Sequence, residues 1–498
     1  MRVTGLASGM NVDDIVKKMM EPRNAALTKL RQKSLLIDYK QEAYRSLSIT
    51  MIDLRNNKLP DLRMTGAINA KKAEVTGNTS AISATTSSGA AAGIYEVEVK
   101  QLGSAASVKV GTGLVNSGSM ALKDLGFNGT SINITNESET DPSKKTIEIE
   151  YDRDTDTLQS LVDRINNTSK ANVTAIYDSS TGDIMFKSKT VGEKQLTIQG
   201  FPGAPSVTGA KSEDGIAIVN GVELKATNNQ VSINGVTIKL NKETGTEGVS
   251  TLTVGTDSKK ILDTIKTFIS EYNKLLDSVN GKLSEDKFPK YTPLTDDERA
   301  ELSDKQAELW DQKSRSGLLK YDSILQRTAT ELRMAIISSF GDDDNFNIQS
   351  IGISTGKWQE KGKLVIENEE KLLAAIEADP SRIEALFTAR GSSENLPAGQ
   401  TYVNNRESGI FSRVSDILAT SLKLMSSKAG TSQVSTSLNE GFLVDSLMGS
   451  EKIDISRKIT DLTRKLNMME TRYYKQFTAM ETAINKFNSQ AGSFSSFL

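Results

Sequence analysis

The strongest constraint on this 498-residue chain lies near its end, where Ile455, Ile459, Leu462, Leu466, Met469 and Tyr473 step by four and three residues. Phe477, Met480, Ile484 and Phe487 continue the stripe after one extra four-residue step. Apolar side chains at that spacing form one line on a long α-helix, the seam of a coiled coil with a single stutter. Such a helix either folds back on its own domain or pairs with another end helix. A second stripe favours pairing at least as strongly: Leu27, Leu30, Ile37, Tyr44 and Met51 recur near the N-terminus at about seven-residue spacing, with polar Ser34 and Gln41 between them. Asn11, followed by Asp14, is placed to cap this helix, and Ile15, Met19 and Met20 give it an apolar side. Pro22 is expected to end or restart it, and Pro60 to close the segment.

Between about residues 73 and 258 the pattern changes. This part holds 20 of the 36 glycines, which supply the turns that many short strands need. Tyr95, Val97 and Val99 alternate with Glu96, Glu98 and Lys100, and Ile147, Ile149 and Tyr151 alternate with Glu148 and Glu150. Period two with one wet face predicts antiparallel strands. Asn220-Gly221 and Asn234-Gly235 stand between apolar partners and predict type I′ hairpins, so a meander is expected near residues 216–254. One helix interrupts the strands, because Leu158, Leu161, Val162 and Ile165 follow helical spacing and Asn166-Asn167 can end it.

Helix returns at Lys259 with a broad apolar face: Ile261, Ile265, Phe268, Ile269, Tyr272, Leu275, Leu276 and Val279. Residues 284–293 read as a loop, and Thr295 with Glu298 forms a capping box for a helix through Trp310. Another helix is expected over Leu318 to Ile337, a short β excursion over Ile351 to Ile366, and a helix from about Glu369 to Phe387, broken or restarted near Pro380.

The chain has no histidine and no cysteine. The commonest general base and metal ligand are therefore missing, as are thiol nucleophiles, disulfides and thiolate metal sites. Gly352-Ile353-Ser354-Thr355-Gly356 matches G-x-S-x-G, but a serine nucleophile needs a base that this chain does not offer. Asp152, Asp154 and Asp156 open like a calcium loop, yet Thr157 replaces the required glycine and Asp163 the bidentate glutamate, so a helix cap or solvated strand end is expected. Gly362-Lys363 lacks the earlier glycine of a phosphate loop. Paired carboxylates remain, but aromatic platforms are scarce at 5%. No enzyme, catalytic residue, cofactor or metal site is expected. Lysine and arginine number 61 against 63 acidic residues, so no global field draws the chain to nucleic acid or anionic lipid. No stretch approaches the roughly 18 to 20 apolar residues of a membrane span, and Met1 to Met20 lacks the basic-then-apolar pattern of a secretory signal.

Gly5-Leu6-Ala7-Ser8-Gly9-Met10-Asn11-Val12, then Gly93 to Leu102, Phe268 to Leu275, Ile351-Gly352-Ile353, Gly362 to Ile366, Asp379-Pro380-Ser381 with Leu386-Phe387, and Arg472 to Glu481 follow one another along the chain. In kind and order these blocks resemble the bacterial flagellar filament cap, or hook-associated protein 2, family, the first of them its opening. Thr157 to Asn166 with Val173-Thr174-Ala175 resembles a module shared with flagellins. The span Ser284 to Ser316 is not placed on the family pattern.

The resemblance implies an α+β multidomain fold: terminal coiled-coil-like helices, a helical bundle domain, and two antiparallel β-rich head domains inserted between the helical segments. The expected divisions are 1–45 with 455–498, a helical leg at 46–72 and 259–454, a first head at 73–110 and 210–258, and a second at 111–209. It further implies a homo-oligomeric ring, expected to be a pentamer, at the filament tip outside the cell. There the ring would retain exported flagellin and promote its folding into the filament. Implied partners are flagellin, the hook-filament junction proteins, the flagellar type III export apparatus and an export chaperone, with no nucleic acid, no membrane insertion and no cleaved signal. A secreted adhesin, or another axial subunit such as a junction protein or flagellin-like chain, is the alternative. The residues expected to carry assembly and filament packing are Leu27, Leu30, Ile37, Tyr44, Leu462, Leu466, Met469, Tyr473, Phe477, Met480, Ile484 and Phe487.

Overall fold

In the computed structural model, which describes residues 10–64, 67–137, 145–391 and 406–495, the first helix begins where the cap requires. The Asn11 side chain accepts a hydrogen bond from the Asp14 amide at 3.2 Å, and α1 runs Val12–Asp53. Residues 5–9 of the opening block lie outside the described residues. Pro22 neither ends nor restarts α1. A proline inside a helix costs about 3 kcal/mol, and burial of Val16, Met20 and Leu27 on the same helix outweighs it. Pro60 does not close the segment either. A π-helical turn over Leu54–Lys58 leads without a break into α2, Leu59–Met64, and Pro60 directly follows that turn, a local rewinding of the kind by which a helix absorbs a proline.

The described chain forms two compact units, Asn69–Ser258 and the remainder. The β-rich unit contains two hydrophobic cores. Around the first lie β1 Lys71–Gly77, β2 Ile82–Thr86, β3 Gly93–Gln101, β11 Gly215–Val219, β12 Val222–Ala226, β13 Gln230–Ile233, β14 Val236–Leu240 and β15 Ser250–Thr256. They make a five-stranded sheet, β1-β15-β3-β11-β12, and a three-stranded sheet, β13-β14-β2, with all pairs antiparallel. Tyr95, Val97, Val99, Val219, Ile238 and Leu252 are buried between them, as the alternation requires.

Around the second core lie β4 Ala105–Gly111, β5 Ser131–Asn136, β6 Thr146–Glu150, β7 Val173–Asp178, β8 Asp183–Val191, β9 Leu196–Phe201 and β10 Ala204–Thr208. These form sheets β10-β9-β5-β6 and β4-β8-β7. Helix α3, Leu158–Asn167, buries Leu158, Leu161, Val162 and Ile165 in that core beside Phe127, Phe186 and Phe201. Asn166 closes the free edge of β7, accepting from the Ala175 amide at 2.8 Å and donating to its carbonyl at 2.9 Å. An open strand edge invites pairing with other chains, and this side chain blocks it.

Both Asn-Gly pairs adopt left-handed φ at both residues, 48° and 80° at Asn220-Gly221 and 49° and 79° at Asn234-Gly235, as type I′ turns demand. The meander does not form. The β11–β12 hairpin joins one sheet and the β13–β14 hairpin the other, because Asn228 and Asn229, both at positive φ, redirect the chain between them. That turn also ties the two cores together. Asn228 Oδ1 accepts from the Val191 amide at 2.7 Å, and Asn229 accepts from the Gly103 amide at 2.6 Å and donates to its carbonyl at 3.2 Å.

The helical unit adds α4 Ser258–Ser284, α5 Asp296–Ala300, α6 Asp304–Arg315, α7 Ser323–Ile337, α8 Glu369–Ala378, α9 Pro380–Thr388, α10 Ile410–Ala429 and α11 Leu447–Ser495, with a small ladder of β16 Ile353–Thr355 and β17 Leu364–Ile366. The Thr295–Glu298 capping box forms, but the helix it opens stops at Ala300. Ser303 and Gln306 make a second box, and a serine that bonds a downstream amide favours a new start over continuation. Helix α7 starts at Ser323 rather than Leu318, since Asp322 accepts from the Ile324 and Leu325 amides. Helix α10, which the sequence reading passed over, lies at the centre: Phe411 packs on Phe268 and Phe387 with ring centroids 4.9 and 5.7 Å apart. Arg413 on α10 is fully buried and donates to the carbonyls of Ala335, Ser338 and Ser339, at 3.0 to 3.1 Å, at the C-terminal end of α7. Those carbonyls would otherwise lack partners. Burial pulls the guanidinium down to about 10, so it stays charged at neutral pH.

Replacing Asn229 with alanine strands both polar groups of Gly103. We expect a loss of about 1 to 3 kcal/mol in unfolding free energy by denaturant titration, with faster hydrogen exchange at Gly103.

Candidate functional site

The seam is built by α1 and α11 running antiparallel. Val12, Val16, Met20 and Leu27 of α1 bury against Leu466 of α11, with Ile459, Leu462, Met469, Tyr473, Tyr474 and Phe477 half-buried around them. Polar contacts set the register: Tyr474 donates to Asp13 at 2.8 Å, Arg23 donates to the Met469 sulfur at 3.1 Å, and Lys33–Glu451 and Asp38–Lys452 pair at 2.7 and 2.5 Å. Exposed pairs of this kind contribute at most about 1 kcal/mol each, so the apolar strip carries the packing. Val12 and Val16, in step with Met20 at four-residue intervals, were not picked out in the sequence.

The assembly residues named from the sequence separate into three groups. Leu27, Leu462, Leu466, Met469, Tyr473 and Phe477 meet on the seam. Leu30 is half-buried on α1. Ile37 and Tyr44 are buried further along that helix. The Tyr44 hydroxyl donates to Asp322 Oδ2 at 2.5 Å, and the Lys428 ammonium lies 2.7 Å from the same oxygen and 5.3 Å from the Tyr44 ring centre. Gln41, a polar position in the stripe, is buried and donates to the Ala429 carbonyl at 2.8 Å. Met480 and Ile484 are half-buried, and Phe487 is 69% exposed. The apolar side chains of the stripe therefore become more exposed toward the end of α11, although Glu481 between them is buried.

Electrostatics in the site centre on Asp322. Burial pushes its carboxyl up, yet hydrogen bonds from Lys428, Tyr44 and the Leu325 amide outweigh this and hold it below the usual carboxylate range. Burial first, then Asp322, pushes the Tyr44 phenol up. The pairing of Asp322 with Lys428 had no sequence signal, because neither belongs to an apolar period and Asp322 reads in the sequence only as a helix cap.

The weak motifs take structural roles. Asp156 accepts from Arg164 at 2.7 Å beside the Thr157 cap of α3, and Ser354 donates to Glu367 at 2.5 Å within the β16–β17 ladder. Among the described residues no group of three acidic, histidine or cysteine side chains could hold a metal ion, and no helix is long and apolar enough to cross a membrane.

Comparisons with known proteins agree with the resemblance. Residues 212–489 match the family described as flagellar hook-associated protein 2 C-terminus, residues 8–106 its N-terminus, and residues 127–190 the flagellin hook IN motif. The chain is 26% identical to flagellar hook-associated protein 2 of Halalkalibacterium halodurans, over 100% of this chain and 99% of that protein. It is 25% identical to the Escherichia coli K12 protein of the same name, over 97% and 95%. The solved D1-D2-D3 domains of the Escherichia coli flagellar cap protein FliD superimpose with a TM-score of 0.52, covering 83% of this chain and 99% of that one at 19% identity. That likeness is one of fold, and it accords with the α+β multidomain architecture.

Asp322→Asn should lower unfolding free energy by about 2 kcal/mol at pH 7, less than a fully buried pair would lose because Lys428 is one-third exposed. A carboxyl depressed by folding contributes its full stability above the unfolded value, about pH 4, and loses it as pH falls through the folded value. Denaturation midpoints between pH 6 and 2 should therefore fall more steeply for the native chain than for the asparagine variant.

Proposed function

Because the chain belongs to the flagellar hook-associated protein 2 family, we infer that it is a cap of the bacterial flagellar filament. The family is structural rather than enzymatic, and the adhesin and other axial-subunit readings are not favoured. The observation that carries this reading is the match along the whole chain, with relatives covered almost end to end.

The finer account is a homo-oligomeric ring, a pentamer, at the distal tip outside the cell. It retains flagellin delivered by the type III export apparatus and promotes its folding into the growing end. A chaperone accompanies export, and the junction proteins are the cap's first seat. The seam supports this account. A cap that stays in place while subunits are added beneath it must release and re-engage, so its contacts must be of modest and adjustable strength. A helix whose apolar residues pass from buried Leu466 through half-buried Phe477 and Ile484 to exposed Phe487 offers such contacts. Beside the seam an open groove along Ile459, Thr463, Asn467, Met468, Thr471 and Lys475 offers a second contact surface.

Substituting Phe477 and Ile484 together with aspartate should reduce binding to filament ends at least tenfold in negative-stain counts, with the β-rich unit still protected in hydrogen exchange. Normal filament growth by that variant would overturn the role assigned to the seam.

A further inference from the structure

Two exposed surfaces of the helical unit belong neither to the seam nor to the bundle core. The first is the loop between α10 and α11. Val434, Leu438, Leu443, Val444 and Leu447 are 55 to 73% exposed there, and the charges in residues 430–447 are Glu440 and Asp445 alone. The backbone is nevertheless held in place. Arg45 donates to the carbonyls of Leu438 and Glu440 at 2.8 and 2.5 Å and lies 3.8 Å from the Phe442 ring centre. Ser48 bonds Thr431 at 3.1 Å, and Gly430, at φ 76°, approaches so closely that a Cβ would sit 2.7 Å from the Leu443 nitrogen. A fixed loop that presents aliphatic side chains to water marks a contact surface rather than a tolerated accident.

The second surface spans residues 287–321. Phe288, Leu309 and Tyr321 are 39, 51 and 73% exposed. Tyr291 packs edge-on against Trp310 at 4.7 Å and Phe288 at 6.2 Å, and the Lys313 ammonium lies 4.5 Å from its ring centre. Lys287 and Lys290 are exposed beside Phe288. Asp286 pairs with Lys320 at 3.6 Å and Asp311 with Arg299, while the exposed acids Asp296, Asp297, Glu301, Asp304 and Glu308 lie further along the stretch, so its lysine-rich part is the end around Phe288, Tyr291 and Lys313. Tyr321 holds φ at 59°, a conformation that bulky residues rarely keep without a use for it.

The two surfaces stand on different flanks of α1. Gln32, Tyr39 and Glu42 bond the α5–α6 side through Glu298, Asp311 and Arg315, whereas Gln41, Arg45 and Ser48 bond the loop side. At 100° per residue these sets lie roughly a third of a turn apart. One surface is aliphatic and acidic, the other aromatic with Lys287, Lys290 and Lys313 beside Phe288 and Tyr291, and both remain exposed within one chain. Complementary surfaces on different flanks of one protein pair between copies, front to back.

We propose that residues 434–447 of one copy dock on the 287–321 surface of the next copy in the assembled protein. This rests on the self-assembly reading above. The cysteine-free chain allows a direct test in the full-length protein. Mixing Leu438→Cys with Leu309→Cys under mild oxidation should give disulfide-linked dimers at least tenfold above either variant alone, and the double variant a ladder. Val222→Cys, 58% exposed on the β-rich unit, is the control. Lys287→Glu with Lys290→Glu should weaken self-association at least tenfold, and adding Glu440→Lys with Asp445→Lys should restore it. Rings seen by light scattering without cross-links in the mixture would overturn this contact and leave the assembly reading standing. Equal cross-linking of Leu438→Cys alone would replace it with a symmetric loop-to-loop contact. A native chain that never assembles would overturn both.

Discussion

The antiparallel packing of α1 on α11 is the interaction on which the helical unit depends. It joins residues as far apart in sequence as Asp13 and Tyr474, and it gives each long helix the apolar partner without which such a stripe would face water. Closing so long a loop costs little more than closing a shorter one, because the entropy grows only with the logarithm of length. Once α1 is seated, its second half carries Ile37, Tyr44 and Met51 into the bundle, and α10 can build its core around Phe268, Phe387 and Phe411.

Buried polar groups then fix which arrangement is adopted. Gln41 on the Ala429 carbonyl, Tyr44 and Lys428 on Asp322, and Arg413 on the end of α7 each satisfy a group that any shifted packing would leave unpaired. Unpaired buried polar groups are expensive, so these contacts act on register more than on total stability. At the far end of α11 Glu481 is buried, while the apolar side chains of the stripe become more exposed toward Phe487. Along α11 the apolar stripe thus passes from a packed segment at Leu466 to one that leaves its side chains in water at Phe487.

The periodic elements were legible in the sequence. Helical spacing gave α3, α4 and the α1 and α11 stripes, and the two Asn-Gly pairs gave both hairpins, since a two-residue I′ turn accepts few other sequences. The breaks were less legible. Pro22 lies inside α1 because the seam outweighs its local cost, and the helix expected through Trp310 divides because Ser303 makes its own cap. Helix α10 had a clear signal in Ile410, Phe411, Val414, Ile417, Leu418 and Leu422 that went unread. In the candidate site, Leu27 and Leu466 were found by spacing, while Asp322 and Lys428, which anchor Tyr44, carry no period to be found.

The sequence by itself determined the kinds of element and their order, because period, caps and turn residues act over a few neighbouring positions. The absence of histidine and cysteine narrowed the chemistry in the same local way. Only the tertiary structure decided that the two hairpins enter different sheets, that the Asn228-Asn229 turn clamps the two β cores at Val191 and Gly103, and that the α1 stripe divides between α11 and the bundle. Each of these joins residues distant in the chain, and what selects them is the need to bury apolar surface while pairing most of the polar groups buried with it.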